Sequence, residues 1–167
     1  MRIAGVDPGT IVTGIGIIEE TSKGTPSLVF SRAIQGGSDK AIAVRLEVIF
    51  QKLKAVFEEW KPEVVALENV FFQKDFRAAI KVGEARAIAM LAATVSGIAV
   101  VEYTPAQVKQ SVCGNGRATK DQIQYMIRNL LKVREVLTAD AADALAVALC
   151  HSHSRKFNHI REAFSRV

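Results

Sequence analysis

The stretch Arg2-Ile3-Ala4-Gly5-Val6-Asp7-Pro8-Gly9-Thr10-Ile11-Val12-Thr13-Gly14-Ile15-Gly16-Ile17-Ile18 decides the architecture. It consists of two short apolar runs, residues 2–6 and 12–18, on either side of the turn-forming cluster Asp7-Pro8-Gly9-Thr10, and so predicts a β-hairpin. Gly14-Ile15-Gly16 lacks the third glycine of a dinucleotide-binding loop and reads as strand. Gly24-Thr25-Pro26 turns the chain into a third strand near Leu28 to Ile34. Gly36-Gly37-Ser38 breaks that strand, with Ser38 placed to cap a helix. Beyond it, Ile42, Leu46, Ile49, Leu53, Val56 and Trp60 recur at alternating steps of four and three, which marks one face of a long helix.

Lys61-Pro62 stops this helix, and Val64-Val65-Ala66-Leu67 is a short buried strand ending at Glu68. Residues 76–96 predict a second long helix, ended by Gly97, and Ile98 to Tyr103 a further strand. Pro105 opens a short helix behind Thr104. Cys113-Gly114-Asn115-Gly116-Arg117 reads as a basic loop, and Thr119-Lys120-Asp121-Gln122 as a capping box for a helix to about Leu131. A last helix is predicted over Ala139–Ser152, capped by Thr138. Three strands in series followed by alternating helices and strands make an α/β fold, a mixed five-stranded sheet with helices on both faces. The 167 residues are expected to form one domain, 1–167.

No apolar run reaches the roughly 20 residues of a membrane helix, and the first residues read as a strand rather than a targeting signal. Cys113 and Cys150 lie too far apart in sequence to suggest a disulfide framework. A soluble cytoplasmic protein, without a membrane partner, is expected. The net charge of +5 is unevenly spread. Residues 1–70 sum to −1 and residues 135–167 to zero, so the excess sits in residues 71–134, at +6. A basic stretch on a compact domain suits a polyanion, because neutralised phosphates release counterions; a well-solvated surface is the plainer explanation of the same charge.

Four acids occupy surroundings that penalise charge. Asp7 ends the first strand and Glu68 the fourth, while Asp140 and Asp143 are the only charges in Ala139–Leu149. The last two are three residues apart, on one face of a helix, where they repel each other. Asp140 alone could be a first-turn acid that complements the helix dipole. That account does not cover two strand ends, where sites in α/β sheets gather. Four converging carboxylates call for a divalent cation, and oxygen ligands favour Mg²⁺ or Mn²⁺ over zinc. Cys150-His151-Ser152-His153 matches no usual zinc spacing and reads as a helix end.

Asp7-Pro8-Gly9-Thr10 with Thr13-Gly14, Glu68-Asn69-Val70-Phe71, Gly114-Asn115-Gly116-Arg117-Ala118-Thr119-Lys120 and Asp140-Ala141-Ala142-Asp143-Ala144-Leu145-Ala146 together resemble the RuvC family of Holliday-junction resolvases. The likeness runs in order from residue 2 to about 153. It implies an RNase H-like fold and a homodimer that cuts four-way DNA junctions in recombination and repair. It also implies Asp7, Glu68, Asp140 and Asp143 as a metal-binding tetrad for two Mg²⁺ ions, with Mn²⁺ as a substitute. Lys109 and Lys120 match family lysines near the scissile phosphate, and Phe71 matches a base-stacking aromatic, with Phe72 beside it as a second bulky residue. A branch-migration motor is the further partner implied. Arg77, Lys81 and Arg117 join the two lysines as expected phosphate contacts within the basic stretch.

Three other readings compete. An actin-like phosphotransferase shares the Asp-x-Gly-Thr hairpin but needs two lobes to close over ATP, and this length supplies one. A non-catalytic nucleic-acid module explains the charge and leaves four costly acids without a task. A nuclease of the same fold acting on RNA is the nearest alternative. Phosphodiester hydrolysis by two metals about 3.5–4 Å apart needs no covalent nucleophile, and none is apparent.

Overall fold

In the hairpin formed by β1 (Arg2–Asp7) and β2 (Val12–Glu20), Gly5 stands opposite Gly16 and Asp7 opposite Gly14. The computed structural model describes residues 1–21, 25–37, 41–69 and 76–164, with side chains described as far as Phe157. β3 (Pro26–Gln35) pairs antiparallel with β2, and β4 (Val64–Glu68) runs parallel to β1. β5 (Ala99–Tyr103) adds a parallel outer strand, giving the order β3-β2-β1-β4-β5. The helices are α1 (Ile42–Trp60), α2 (Phe76–Val95), α3 (Pro105–Cys113), α4 (Lys120–Leu131) and α5 (Ala139–Phe164). This is the expected mixed five-stranded sheet.

Strand alternation divides the core in two. Ala4, Val6, Ile15, Ile17, Val65 and Leu67 point to one face, where α1 and α2 supply Ile49, Leu53, Phe57, Ala89, Ala92 and Ala93. Ile3, Ile18, Val64 and Ala66 point to the other, packed with Val108 and Val112 of α3, Ile123, Ile127 and Leu131 of α4, and Leu145 to Cys150 of α5. Asp7 and Glu68 continue the second alternation, so both strand ends belong to the face that α5 crosses.

The glycines explain how closely α5 approaches. A methyl group added at Gly5 would run into the carbonyl oxygen of Ala144 and stand 2.8 Å from the amide nitrogen of Ala148. One at Gly14 would run into the carbonyl of Asp140. Backbone-to-backbone contact of this kind needs strand residues without side chains. It draws the N-terminal half of α5 down onto the ends of β1 and β2.

Two expectations need correction, the end of α5 and the start of α1. α5 does not end at Ser152 but continues to Phe164, because no Gly or Pro follows to stop it; Cys150-His151-Ser152-His153 is helix interior. Ser152 donates to Glu20 Oε1 at 2.6 Å and Arg155 pairs with Glu20 at 3.3 Å, anchoring this part to β2. α2 buries Ala85, Ala89, Ala92 and Ala93 against the sheet side and leaves Phe76, Ile80, Leu91 and Val95 exposed on the other. α1 starts behind Ala41 without a side-chain cap; Ser38 lies outside the described residues. The capping box at Thr119 is present, with Gln122 as its partner, and Thr104 makes a second one with Gln107. Ala141 N donates to Thr138 Oγ1 at 3.3 Å, the expected start of α5.

Candidate active site

Because Val6 pairs with Leu67 across parallel strands, Asp7 and Glu68 are the next residues of neighbouring strands, side by side beneath α5. Asp143, in the second turn of α5, faces them across a pocket of about 290 Å³ that also takes in Lys109 of α3 and Lys120 of α4. Pro105, Val108, Ile123, Ala146 and Val147 form its apolar walls. Lys120 Nζ donates to Asp143 Oδ2 at 3.3 Å. Asp140 is outside this lining, yet its charge still acts on Asp7.

Burial is the main reason the Asp7 carboxyl is pushed up to about 7 from its ordinary 3.8; the charges of Asp143, Glu68 and Asp140 push the same way, and Lys120 opposes them. Glu68 is raised first by burial and then by Asp143, with Lys109 and Lys120 opposing. Lys120 is raised by the charge and hydrogen bond of Asp143. The pocket thus sets three acids, two of them raised mainly by burial, against two lysines. Among the described residues no three His, Cys, Asp or Glu side chains stand close enough together to hold a metal ion as they are placed. The donor set is nonetheless all carboxylate oxygen, which fits a hard divalent cation.

The shift makes stability depend on pH. Asp7 holds its proton more tightly folded than unfolded, so its contribution is full below about pH 4 and is lost as pH rises through about 7. Without added metal, the melting temperature of the wild type should fall between pH 4 and 7 relative to that of Asp7→Asn, which cannot ionise. Parallel melting curves for the two proteins would remove the burial argument.

The other expected contacts divide. Arg117 is exposed in the loop before α4. Arg77 and Lys81 lie elsewhere, in a groove between α1 and α2 with Ile42, Arg45, Ile80 and Glu84, and not at the acidic pocket. Phe71 and Phe72 lie outside the described residues. Sequence reasoning missed Tyr103 and His151, whose hydroxyl and Nδ1 are 2.7 Å apart. The usable signal was Tyr103 following Glu102 at the end of a strand next to the one carrying Glu68.

Residues 3–151 match the family model described as crossover junction endodeoxyribonuclease RuvC. The chain belongs to the RuvC family. A RuvC of Geobacter sulfurreducens is 44% identical over 154 residues, covering 92% of this chain and 93% of its own. That of Citrifermentans bemidjiense is 48% identical over 158 residues, covering 95% and 96%. Among solved structures, T. thermophilus RuvC in complex with a Holliday junction substrate superposes with a TM-score of 0.88 at 31% identity, over 95% of this chain and 96% of that one. A yeast mitochondrial Holliday junction resolvase, 10% identical, superposes at 0.72 over 98% and 83% of the two chains, a likeness of fold alone. The RuvC neighbours establish the RNase H-like fold. Among the described residues no helix is long and apolar enough to cross a membrane.

Proposed function

We propose that this RuvC-family protein is a structure-specific endonuclease that resolves four-way DNA junctions by paired, metal-dependent nicks. The observation that carries the reading is the pocket itself. Two strand-end acids and a helix-borne acid share one cavity with two lysines from two other helices. Asp7, Glu68, Asp140 and Asp143 are assigned as the metal ligands, with Mg²⁺ the expected ion and two ions per site. Ions held by these carboxylates would supply an activated water and stabilise the charge that develops on the phosphodiester. Lys109 and Lys120 add positive charge where negative charge develops on the scissile phosphate. Hydrolysis in this arrangement leaves a 5′-phosphate and a 3′-hydroxyl.

The carboxylates repel the backbone they must approach, and the basic residues Lys81, Lys109, Arg117 and Lys120, with Arg77, provide the attraction. Of the adjacent rings Phe71 and Phe72, one is assigned the base-stacking role, worth about 1–3 kcal/mol. The whole chain 1–167 acts as one cytoplasmic domain, and a branch-migration motor is the partner the resemblance supplies.

The deciding experiment offers a synthetic four-way junction, a linear duplex and an RNA–DNA hybrid, each with and without Mg²⁺. Cutting confined to the junction and requiring Mg²⁺ is the expected outcome. Equal cutting of the duplex, or preference for the hybrid, would replace this reading with a different substrate.

A homodimer completes the proposal. Phe76, Ile80, Leu91 and Val95 make an exposed apolar stripe along α2, with Gly83 and Ala87 between them. A second copy of the chain is the occupant it suits, since small residues admit a close two-fold contact and a four-way junction needs two nicks. Burying one leucine is worth about 1.5–3 kcal/mol. Leu91→Asp should therefore weaken the dimer by about a hundredfold or more and turn paired nicks into single ones. A Leu91→Asp protein that still sediments as a dimer at micromolar concentration would move the interface off this helix.

A further inference from the structure

We propose that Tyr103 is a positioning residue that fixes the spacing between Glu68 and the acids of α5, an inference that rests on the metal reading above. Three observations converge on it. Tyr103 pairs in register with Glu68, so the two side chains stand next to each other on the face that α5 crosses. Its carbonyl oxygen accepts from the amide of Asn69 at 2.7 Å, which pins the chain directly after Glu68. Its hydroxyl lies 2.7 Å from Nδ1 of His151, two turns along α5 from Asp143, and the two rings are 5.9 Å apart.

His151 is almost wholly buried, and burial holds its imidazole below the ordinary value, so it presents a neutral ring to the hydroxyl. Neither residue borders the acidic pocket. They act through geometry. Glu68 is carried by a strand and Asp143 by a helix, and the apolar packing between those elements is non-directional. A hydrogen bond supplies the directional constraint that packing lacks. Tyr103 also hands the chain to Thr104, whose capping box starts α3 and so sets Lys109. One residue thus sits where the three elements meet: its backbone holds the strand end that carries Glu68, its hydroxyl reaches the helix that carries Asp143, and its successor caps the helix that carries Lys109.

The test titrates the whole chain with Mn²⁺ alone, without DNA, following bound metal by electron paramagnetic resonance. Wild type should bind and Asp7→Asn should not. Tyr103→Phe, which keeps the ring and loses the hydroxyl, should bind Mn²⁺ about tenfold more weakly, the lower end of what outer partners of metal ligands contribute. His151→Phe should weaken binding by less, because Ser154 of α5 also bonds the Tyr103 side chain, and the double variant should be no worse than Tyr103→Phe alone, since losing the hydroxyl already removes both bonds. Ser152→Ala is the control: it breaks the 2.6 Å bond from α5 to Glu20, and should lower the melting temperature while leaving Mn²⁺ affinity unchanged. Wild-type affinity in Tyr103→Phe would overturn the inference, as would an equal loss in Ser152→Ala, which would mean general loosening of α5. A wild-type chain that binds no Mn²⁺ would overturn the metal reading itself, and the inference with it.

Discussion

Asp7→Asn should abolish junction cleavage, by about a thousandfold or more, while junction binding stays the same or tightens. Metal clamping of the reacting oxygens supplies several kcal/mol of transition-state stabilisation, and about 4 kcal/mol is a thousandfold in rate. Asp7 is the residue on which the pocket's electrostatics converge, since Asp143, Glu68 and Asp140 all act on it. The amide keeps the size of the side chain and removes one negative charge from a surface that must accept phosphates, hence the opposite effects on rate and binding. Because the buried carboxyl destabilises the metal-free fold at neutral pH, the variant should also melt higher than wild type above pH 7. Glu68→Gln and Asp143→Asn should follow the same pattern in cleavage. Single-turnover cutting beside a junction-binding titration checks both halves, and near-wild-type cutting by any one variant would remove that residue from the site.

Gly5→Ala should be the most damaging substitution of a residue with no chemical role. Its new methyl meets backbone atoms of α5, the Ala144 carbonyl and the Ala148 amide, which cannot rotate away as a side chain can. Overpacking costs about 1–3 kcal/mol and occasionally more; with backbone on both sides, about 3 kcal/mol or above is expected, out of a total stability of about 5–15 kcal/mol. Any relief must lift α5, and lifting α5 takes Asp143 away from Asp7. Stability and metal binding should therefore fall together. Gly116→Ala is the comparison, because its added methyl would find nothing nearer than 3.5 Å. Urea unfolding of the two variants measures the contrast, and a Gly5→Ala protein as stable as Gly116→Ala would mean that α5 sits less close than described.

The acids were legible because each sits where a sequence rarely puts charge. Asp7 and Glu68 close apolar runs, and Asp140 and Asp143 interrupt an alanine-rich helix. The capping box at Thr119 was legible for a related reason, a short pattern with a local mechanism. Tertiary choices were not. Nothing in Gly5 or Gly14 announces that a helix backbone will rest on them, since glycine in a strand can equally mark a bulge or a bend. The far half of α5 was hidden by Ser152, His153 and Ser154, residues that favour helix ends on average but are held here by Glu20 and Ser111 from elsewhere in the chain. The apolar character of α2 was visible, since Ala85 to Val95 is apolar nearly all round while a sheet face covers only one side of a helix.

The order in which the chain supplies its acids has a consequence for synthesis. β1 and β4 deliver Asp7 and Glu68 early, and the basic segment follows, but Asp140 and Asp143 arrive on the last helix, which also completes the core against β1 and β2. A chain emerging from the ribosome N-terminus first therefore holds two of its four acids well before the helix that brings the other two. On the proposed function, competence to cut waits for the docking of α5, the same event that closes this half of the core, so a chain that has not finished folding carries no assembled acidic pocket.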